Sequence, residues 1–302
     1  EFVRADIRNP MIGRIMNQAG VDTVVHLNVL ATPKDTGGRA TQKEINVIGT
    51  MQLLAACQKS ETVKRLVVKS SAAIYGSSPR DPAMFTEDMN PKSMPRTGFG
   101  KDSVEVEGYV RGFSRRRPDV EITMLRMANV ISPTIRTSMT EYFSLPIVPV
   151  PLGFDARFQF LHEDDAVAAL VRATTGPAVG IVNVAGDGFV TVLQCTALAK
   201  RPICPIPLQG AGLLGGVVQR FGLADFSADQ LNFLAFGRGL DTTRMRTVLG
   251  FEPTYTTRAA FEDFARHLRP IVPGTDGVSG AVSGAAGGTV SAIARVFERI
   301  QP

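Results

Sequence analysis

The ten residues Val67-Val68-Lys69-Ser70-Ser71-Ala72-Ala73-Ile74-Tyr75-Gly76 carry the clearest chemical signal in the chain. A β-branched run ends in paired serines, and a Tyr-Gly follows. This reads as a buried strand that delivers a hydroxyl to the edge of a sheet, where a ligand can sit. The usual companion of such a serine is a Tyr-x-x-x-Lys pair on the next helix. The i,i+4 spacing puts both groups on one helix face. The stretch in that place is Phe99-Gly100-Lys101-Asp102-Ser103. Phenylalanine has no proton to give, and serine has no cation. Four residues beyond Tyr75, Tyr109, Tyr142 and Tyr255 lie Pro79, Phe113, Pro146 and Ala259, so no other Tyr-x-x-x-Lys stands in. Tyr109 is ten residues past Phe99, which turns it well away from the same helix face.

The elements that must position these groups alternate. A short strand is predicted at Phe2 to Ala5, a helix at about 10–19, and a strand from Val21 to Leu27. A helix near 42–58 follows, with Ile45, Ile48, Leu53 and Leu54 on one broad face. Lys64 to Lys69 is the next strand, a helix runs over about 101–117, and Glu121 to Arg126 is a further strand. Strands separated by helical crossovers imply right-handed βαβ units and a parallel sheet. After Asn129 the pattern loosens. Asp164 to Ala173 reads as a helix, Ile181 to Val184 as a strand, and Thr257 to His267 as a last helix. The expected fold class is α/β: a Rossmann-like doubly wound parallel sheet over 1–131, with a smaller substrate region over 132–268 interleaved with it. Residues 269–302 differ. Gly274 to Gly288 is a flexible, linker-like composition, and Val290, Ile293, Phe297 and Ile300 then recur at helical spacing.

Composition narrows the function classes. Hydrophobic residues are 44% and charged residues 20% of 302, which fits a globular protein and excludes disorder for most of the length. The formal charge of +5 is spread out. The one cluster, Arg115-Arg116-Arg117 before Pro118, reads as a cationic helix C-terminus. No aromatic residues interleave with it, so nucleic acid is not an expected partner. Cys57, Cys195 and Cys204 are odd in number and irregularly spaced, as for reduced thiols in a cytoplasmic protein. With His26, His162 and His267 they offer no metal-ligand spacing, and no apolar run is long enough to cross a bilayer. The chain opens within what reads as a strand and without methionine, so it is expected to be a piece of a larger gene product.

Several segments, taken together and in order, resemble the extended short-chain dehydrogenase/reductase family, and within it the NAD-dependent epimerase/dehydratases of UDP-glucose 4-epimerase type. The resemblance covers residues 1 to about 268, and further details are similar to actinobacterial members. Ala5-Asp6-Ile7-Arg8-Asn9 resembles the strand end whose Asp and Ile touch the adenine. Val24-Val25-His26 resembles the strand beside the cofactor. Asn46-Val47-Ile48-Gly49-Thr50 resembles the helix whose Asn supports the cofactor site. Ser70 to Gly76 resembles the strand bearing the catalytic serine, which falls on Ser71. Leu125-Arg126-Met127-Ala128-Asn129 resembles the segment whose Asn meets the substrate. Phe160 to Asp165 resembles the helix start after the substrate loop, and Asn183-Val184 and Asp241 through Gly250 resemble later landmarks.

The resemblance implies NAD as cofactor through Asp6, Ile7 and Asn46, and a nucleotide sugar or related small molecule as substrate through Ser71, Asn129 and an arginine. It implies a homodimer through the helices near 42–58 and 101–117. It also exposes departures. Phe99 and Ser103 occupy the tyrosine and lysine positions. The phosphate-binding arginine is expected at Phe158, and Arg157 lies one step earlier, which in an extended stretch reverses the face. The Gly-x-x-Gly-x-x-Gly turn of the first βα unit is absent, so the 302-residue chain is not expected to bind NAD. Gly210-Ala211-Gly212-Leu213-Leu214-Gly215 fits G-x-G-x-x-G, but prolines precede it and no acidic strand end follows, so it is not read as a nucleotide site. Two functions remain open: an epimerase/dehydratase with an altered proton shuttle, or a non-catalytic relative that binds a nucleotide or a protein.

Overall fold

Parallel strands organise the molecule, and each is an apolar run of the sequence. In this computed structural model, residues 3–31, 37–207 and 228–270 are described. The strands in chain order are β1 (Thr23–His26), β2 (Arg65–Ser71), β3 (Glu121–Met127), β4 (Asn129–Ile131), β5 (Val148–Pro151), β6 (Arg157–Phe158), β7 (Phe160–His162), β8 (Gly180–Val184), β9 (Val190–Thr191) and β10 (Ile203–Ile206). The main sheet has the order β1-β2-β3-β8 and every pair in it is parallel. Its register places Val24 beside Leu66, Val68 beside Met124, and Met127 beside Val184. The α/β, Rossmann-like expectation is met. Leu66, Val67 and Val68 are all fully buried because helices cover both faces of β2.

On one face lie the helices Ile12–Gln18, Thr50–Lys59 and Gly98–Arg116. Met16, Leu53, Leu54, Val110 and Phe113 pack there on Leu66, Val68 and Met124. On the other face Ala166, Ala169 and Ala173 of the helix Glu163–Thr175 pack on Val67, Leu125 and Val182. A third core is aromatic and is drawn from residues between Ile131 and Phe264: Tyr142, Phe143, Phe158, Phe160 and Phe261. Phe143 meets Phe261 edge-on at 5.0 Å.

The helix predicted near 42–58 is built in three parts: α-helix Arg39–Lys43, a π-helical stretch Glu44–Gly49, and α-helix Thr50–Lys59. The wider turn carries Asn46 inward, where it is fully buried. Gly49 at its end lets the Ile7 side chain pack close, since a Cβ there would lie 2.6 Å from Ile7 Cδ1 and displace it. The strand predicted at Phe2 to Ala5 is not formed over its described residues. Val3 to Asp6 is exposed, irregular chain. A strand persists only where a neighbour supplies ladder partners; among the described strands β1 pairs with β2 alone.

Arg115 and Arg116 do end their helix, and Arg117 goes further. Its guanidinium donates to the carbonyls of Cys57 and Ser60, both at 2.8 Å, at the end of the helix Thr50–Lys59. All three cysteines are free, and Cys57 and Cys195 are buried. Among the described residues no group of His, Cys, Asp and Glu is placed to hold a metal ion. No described helix is long and apolar enough to cross a membrane. The described residues up to Leu268 form one compact unit. The glycine run from 210 to 215, the linker from 274 to 288 and the helix pattern from 290 to 300 lie outside the described residues.

Candidate functional site

A cavity of about 400 Å³ opens at the carboxyl ends of β2 and β3. In a doubly wound sheet this is where ligands bind, because the strand ends and the loops leaving them diverge there. Ser71, Phe99 and Asn129 all line it, so three of the residues singled out in the sequence converge on one space.

Ser71 ends β2 and caps the single 3₁₀ turn Ala72–Tyr75. Its Oγ accepts from the Ala73 amide at 3.1 Å. One lone pair is therefore used and the hydroxyl proton is left to donate to a ligand oxygen. Gly76 closes the turn with φ of 63°, and a Cβ there would meet the Ser93 carbonyl at 2.5 Å. That is why the serine motif ends in glycine.

Ser70 faces the other way. It donates to Glu107 at 2.6 Å. Glu107 takes two hydrogen bonds from Arg126, at 3.0 and 2.8 Å, and Arg126 also donates to the Tyr75 hydroxyl at 2.8 Å. The Tyr75 hydroxyl in turn donates to Asn183 Oδ1 at 2.9 Å. Burial pushes the Tyr75 pKa up despite the neighbouring Arg126 charge. Tyr75 is thus a structural donor rather than a proton shuttle.

Phe99 stands on the cavity wall at the start of the helix Gly98–Arg116. Ser103 is buried, and its hydroxyl donates back to the Phe99 carbonyl at 2.9 Å. The wall therefore has neither an ionisable hydroxyl nor an ammonium at those two positions. Asp102, the residue before Ser103, is fully buried and paired with Arg39 at 2.7 and 2.5 Å. Asn46 donates to the same carboxylate at 3.2 Å and holds both the amide and the carbonyl of Leu30, at 2.7 and 3.0 Å. It secures the loop after β1 from within its helix.

Asn129 begins β4 beside Phe160 of β7. Its side chain lines the cavity and makes no hydrogen bond among the described residues. Arg157 does not line the cavity; its guanidinium lies over the Phe189 ring at 5.1 Å, while Phe158 is fully buried in the aromatic core. Asp6 is exposed and closed on Arg8 by hydrogen bonds of 2.6 to 3.1 Å, which hold its carboxyl below the usual range. Both line a separate open hollow with Glu44 and Ile48, and Ile7 packs against Gly49.

Asp165 and His162 serve the fold. Asp165 accepts from the Thr254 and Tyr255 amides at 2.8 and 2.9 Å, and His162 stacks on Tyr255 at 3.8 Å. His26 is buried against Thr50 at 2.8 Å, and burial, with Lys69 nearby, lowers its pKa to about 4.

None of the three cations that line the cavity, Arg39, Lys69 and Arg238, was singled out by the sequence. Arg238 donates to the Gly76 carbonyl at 2.7 Å and lies over the Phe233 ring at 4.9 Å. Burial lowers its pKa to about 10. Lys69 is two residues before Ser71 on the same face of β2 and donates to the Val29 carbonyl at 3.1 Å. Arg238 has no local motif. Lys69 has a signal after all, a lysine inside a Leu-Val-Val strand.

The parallel sheet with a cavity at its carboxyl edge defines a Rossmann-like protein. Residues 1–185 match the NAD dependent epimerase/dehydratase family, to which the chain belongs. An uncharacterized protein of Mycobacterium tuberculosis is 45% identical over 274 residues, covering 90% of this chain and 73% of that protein. The UDP-glucose 4-epimerase of Mycolicibacterium smegmatis is 26% identical, covering 84% and 78%. The fold is also that of the Thermotoga maritima UDP-glucose 4-epimerase solved with UDP-glucose, with a TM-score of 0.67, 22% identity and coverage of 88% and 83%. The Thermus thermophilus UDP-glucose 4-epimerase solved with NAD gives a TM-score of 0.64 at 20% identity, covering 89% and 85%.

Proposed function

We propose that this protein binds a nucleotide sugar, or a related small molecule, in the cavity at the carboxyl edge of the sheet, and that it does not epimerise it by a tyrosine proton relay. The observation that carries this reading is the pairing of Phe99 on the wall with Ser103 bonded back to the Phe99 carbonyl. Neither atom set can take up or release a proton at a bound sugar. What remains is recognition: the free Ser71 hydroxyl proton and the unused Asn129 amide suit sugar oxygens.

The described residues do not fit NAD. Asp6, which the resemblance assigns to the adenine, is closed on Arg8. Phe99 and Ser103 stand where a hydroxyl and an ammonium would hold the nicotinamide ribose. The proposal therefore uses no hydride carrier. Residues 132–268 supply the far wall through Ile135, Thr137, Phe233 and Arg238, which supports their reading as the substrate region. Exposed Ile48, Met51 and Tyr109 on the two long helices support pairing with a second copy, and the three free cysteines support a cytoplasmic setting.

Calorimetric titration with UDP-glucose, alongside an assay for UDP-glucose/UDP-galactose interconversion with added NAD, tests the reading. Saturable UDP-glucose binding without turnover is the expected result. Turnover at ordinary enzyme rates that is abolished by Ser71→Ala would overturn the non-catalytic part. Absence of binding would overturn the rest.

A further inference from the structure

We propose that Lys69 is the anion receptor of this cavity, so that the ligand must present a phosphate or carboxylate oxygen to the floor beside Ser71. The inference rests on the cavity being a small-molecule site and adds the charge class of what enters it.

Three cations line the cavity: Arg39, Lys69 and Arg238. Two are committed. Arg39 is held bidentately by Asp102 and also donates to the Gly98 carbonyl at 2.9 Å. Arg238 is held by the Gly76 carbonyl, by Ser77 at 3.3 Å and by the Phe233 ring. Lys69 differs. Its one hydrogen bond among the described residues goes to a neutral carbonyl, that of Val29, and it makes no ion pair there. An ammonium carries three donors, so two are left.

The cost of this placement is visible in the strand. Lys69 follows Leu66, Val67 and Val68, each fully buried, and sits beside Leu125 of β3, also fully buried. Burial lowers its pKa. A methionine of similar length would fill the space without that cost. The neighbouring titratable group is no counter-ion, since His26 is neutral or cationic and is held by Thr50. The cavity wall offers one carboxylate, Asp229, and that is taken by the amide and hydroxyl of Thr97, both at 3.1 Å. A half-buried cation in a buried strand beside an open cavity, without a protein anion among the described residues, is stabilised by an anion from solution.

The test is calorimetric titration of the 302-residue chain and of Lys69→Met with pyrophosphate, UDP, UDP-glucose and UDP-glucuronate. A charge-assisted hydrogen bond predicts that Lys69→Met weakens the bound ligand about tenfold or more. Dependence on Lys69 already present with pyrophosphate and UDP assigns the diphosphate as the anion. Dependence that appears only with UDP-glucuronate assigns the sugar carboxylate. Lys69-dependent pyrophosphate binding without any response to the nucleotides supports the anion receptor and sinks the nucleotide-sugar reading alone. Equal affinities in Lys69→Met and the parent chain overturn the receptor, as does failure of the parent chain to bind any of the four. If Lys69→Met does not fold, protection of Lys69 from an amine-acylating reagent is read on the parent chain by peptide mass mapping. Protection by pyrophosphate supports the assignment, and unchanged labelling overturns it.

Discussion

Ser70 and Ser71 are adjacent in sequence and opposite in consequence. Ser70 turns to the helix side of the sheet and joins a closed chain of hydrogen bonds through Glu107, Arg126, Tyr75 and Asn183. Ser71 turns to the cavity and keeps its proton free. The closed side is fully paired, as a buried polar network must be to be stable. The open side carries the unspent donors Ser71, Asn129 and Lys69. On the open side Phe99 lines the cavity, with Ser103 buried behind it and bonded back to the Phe99 carbonyl, while the network on the closed side is complete. The two jobs are separable even one residue apart.

The contrast can be broken most forcefully at Arg126. Arg126→Met strands the Glu107 carboxylate in the interior and is expected to cost about 3–5 kcal/mol. Urea unfolding measures it, and a loss below about 1 kcal/mol would mean that the closed side is not closed. His26, on the same helix side, gives a pH-dependent version. Its folded pKa is about 4 against 6.5 when free. Between these values the unfolded chain binds the proton more readily, so stability is full above about pH 6.5 and falls as pH drops towards 4. The span is up to about 3 kcal/mol. His26→Gln should flatten that slope when unfolding midpoints are compared from pH 4 to 7. Tyr75→Phe removes one hydroxyl shared by Arg126 and Asn183 and is expected to cost about 1–3 kcal/mol by the same unfolding measurement. Ser71→Ala should cost about 1 kcal/mol or less, the value of one cap, yet weaken UDP-glucose binding in calorimetry. A large stability loss at Ser71 with unchanged binding would invert the comparison.

Much of this was legible in the chain because it is local. The buried strand from Lys64 to Lys69 and the helices over 101–117 and 257–267 follow from hydrophobic period, whereas the pairing of Ser71 with Phe99 and Asn129 came from the family resemblance. Asn46 was singled out through the family resemblance alone; the π-helical stretch that turns it inward leaves no distinct pattern. The misses are long-range. Phe2 to Ala5 has strand-like alternation, but alternation supplies no ladder partner. Arg157 and Phe158 are told apart only by the aromatic core that claims Phe158. Asp6 sits in a family-like segment, yet Arg8, two residues on, closes its carboxylate. Arg238 reaches the serine motif across the whole C-terminal half, and no spacing rule spans that.

That reach has a kinetic consequence. The hydrogen bond from Arg238 to the Gly76 carbonyl joins residues 162 apart in the chain. Contacts of such separation form late, since the ends must be brought together before the contact rewards it. The sheet from β1 to β3 can assemble from nearby segments, whereas the cavity exists only once residues 228–240 return to it. Amide exchange at Gly76 and Arg238 should therefore report openings that leave Leu66 to Val68 protected, and ligand binding will be the first property lost on mild denaturation and the last recovered on refolding.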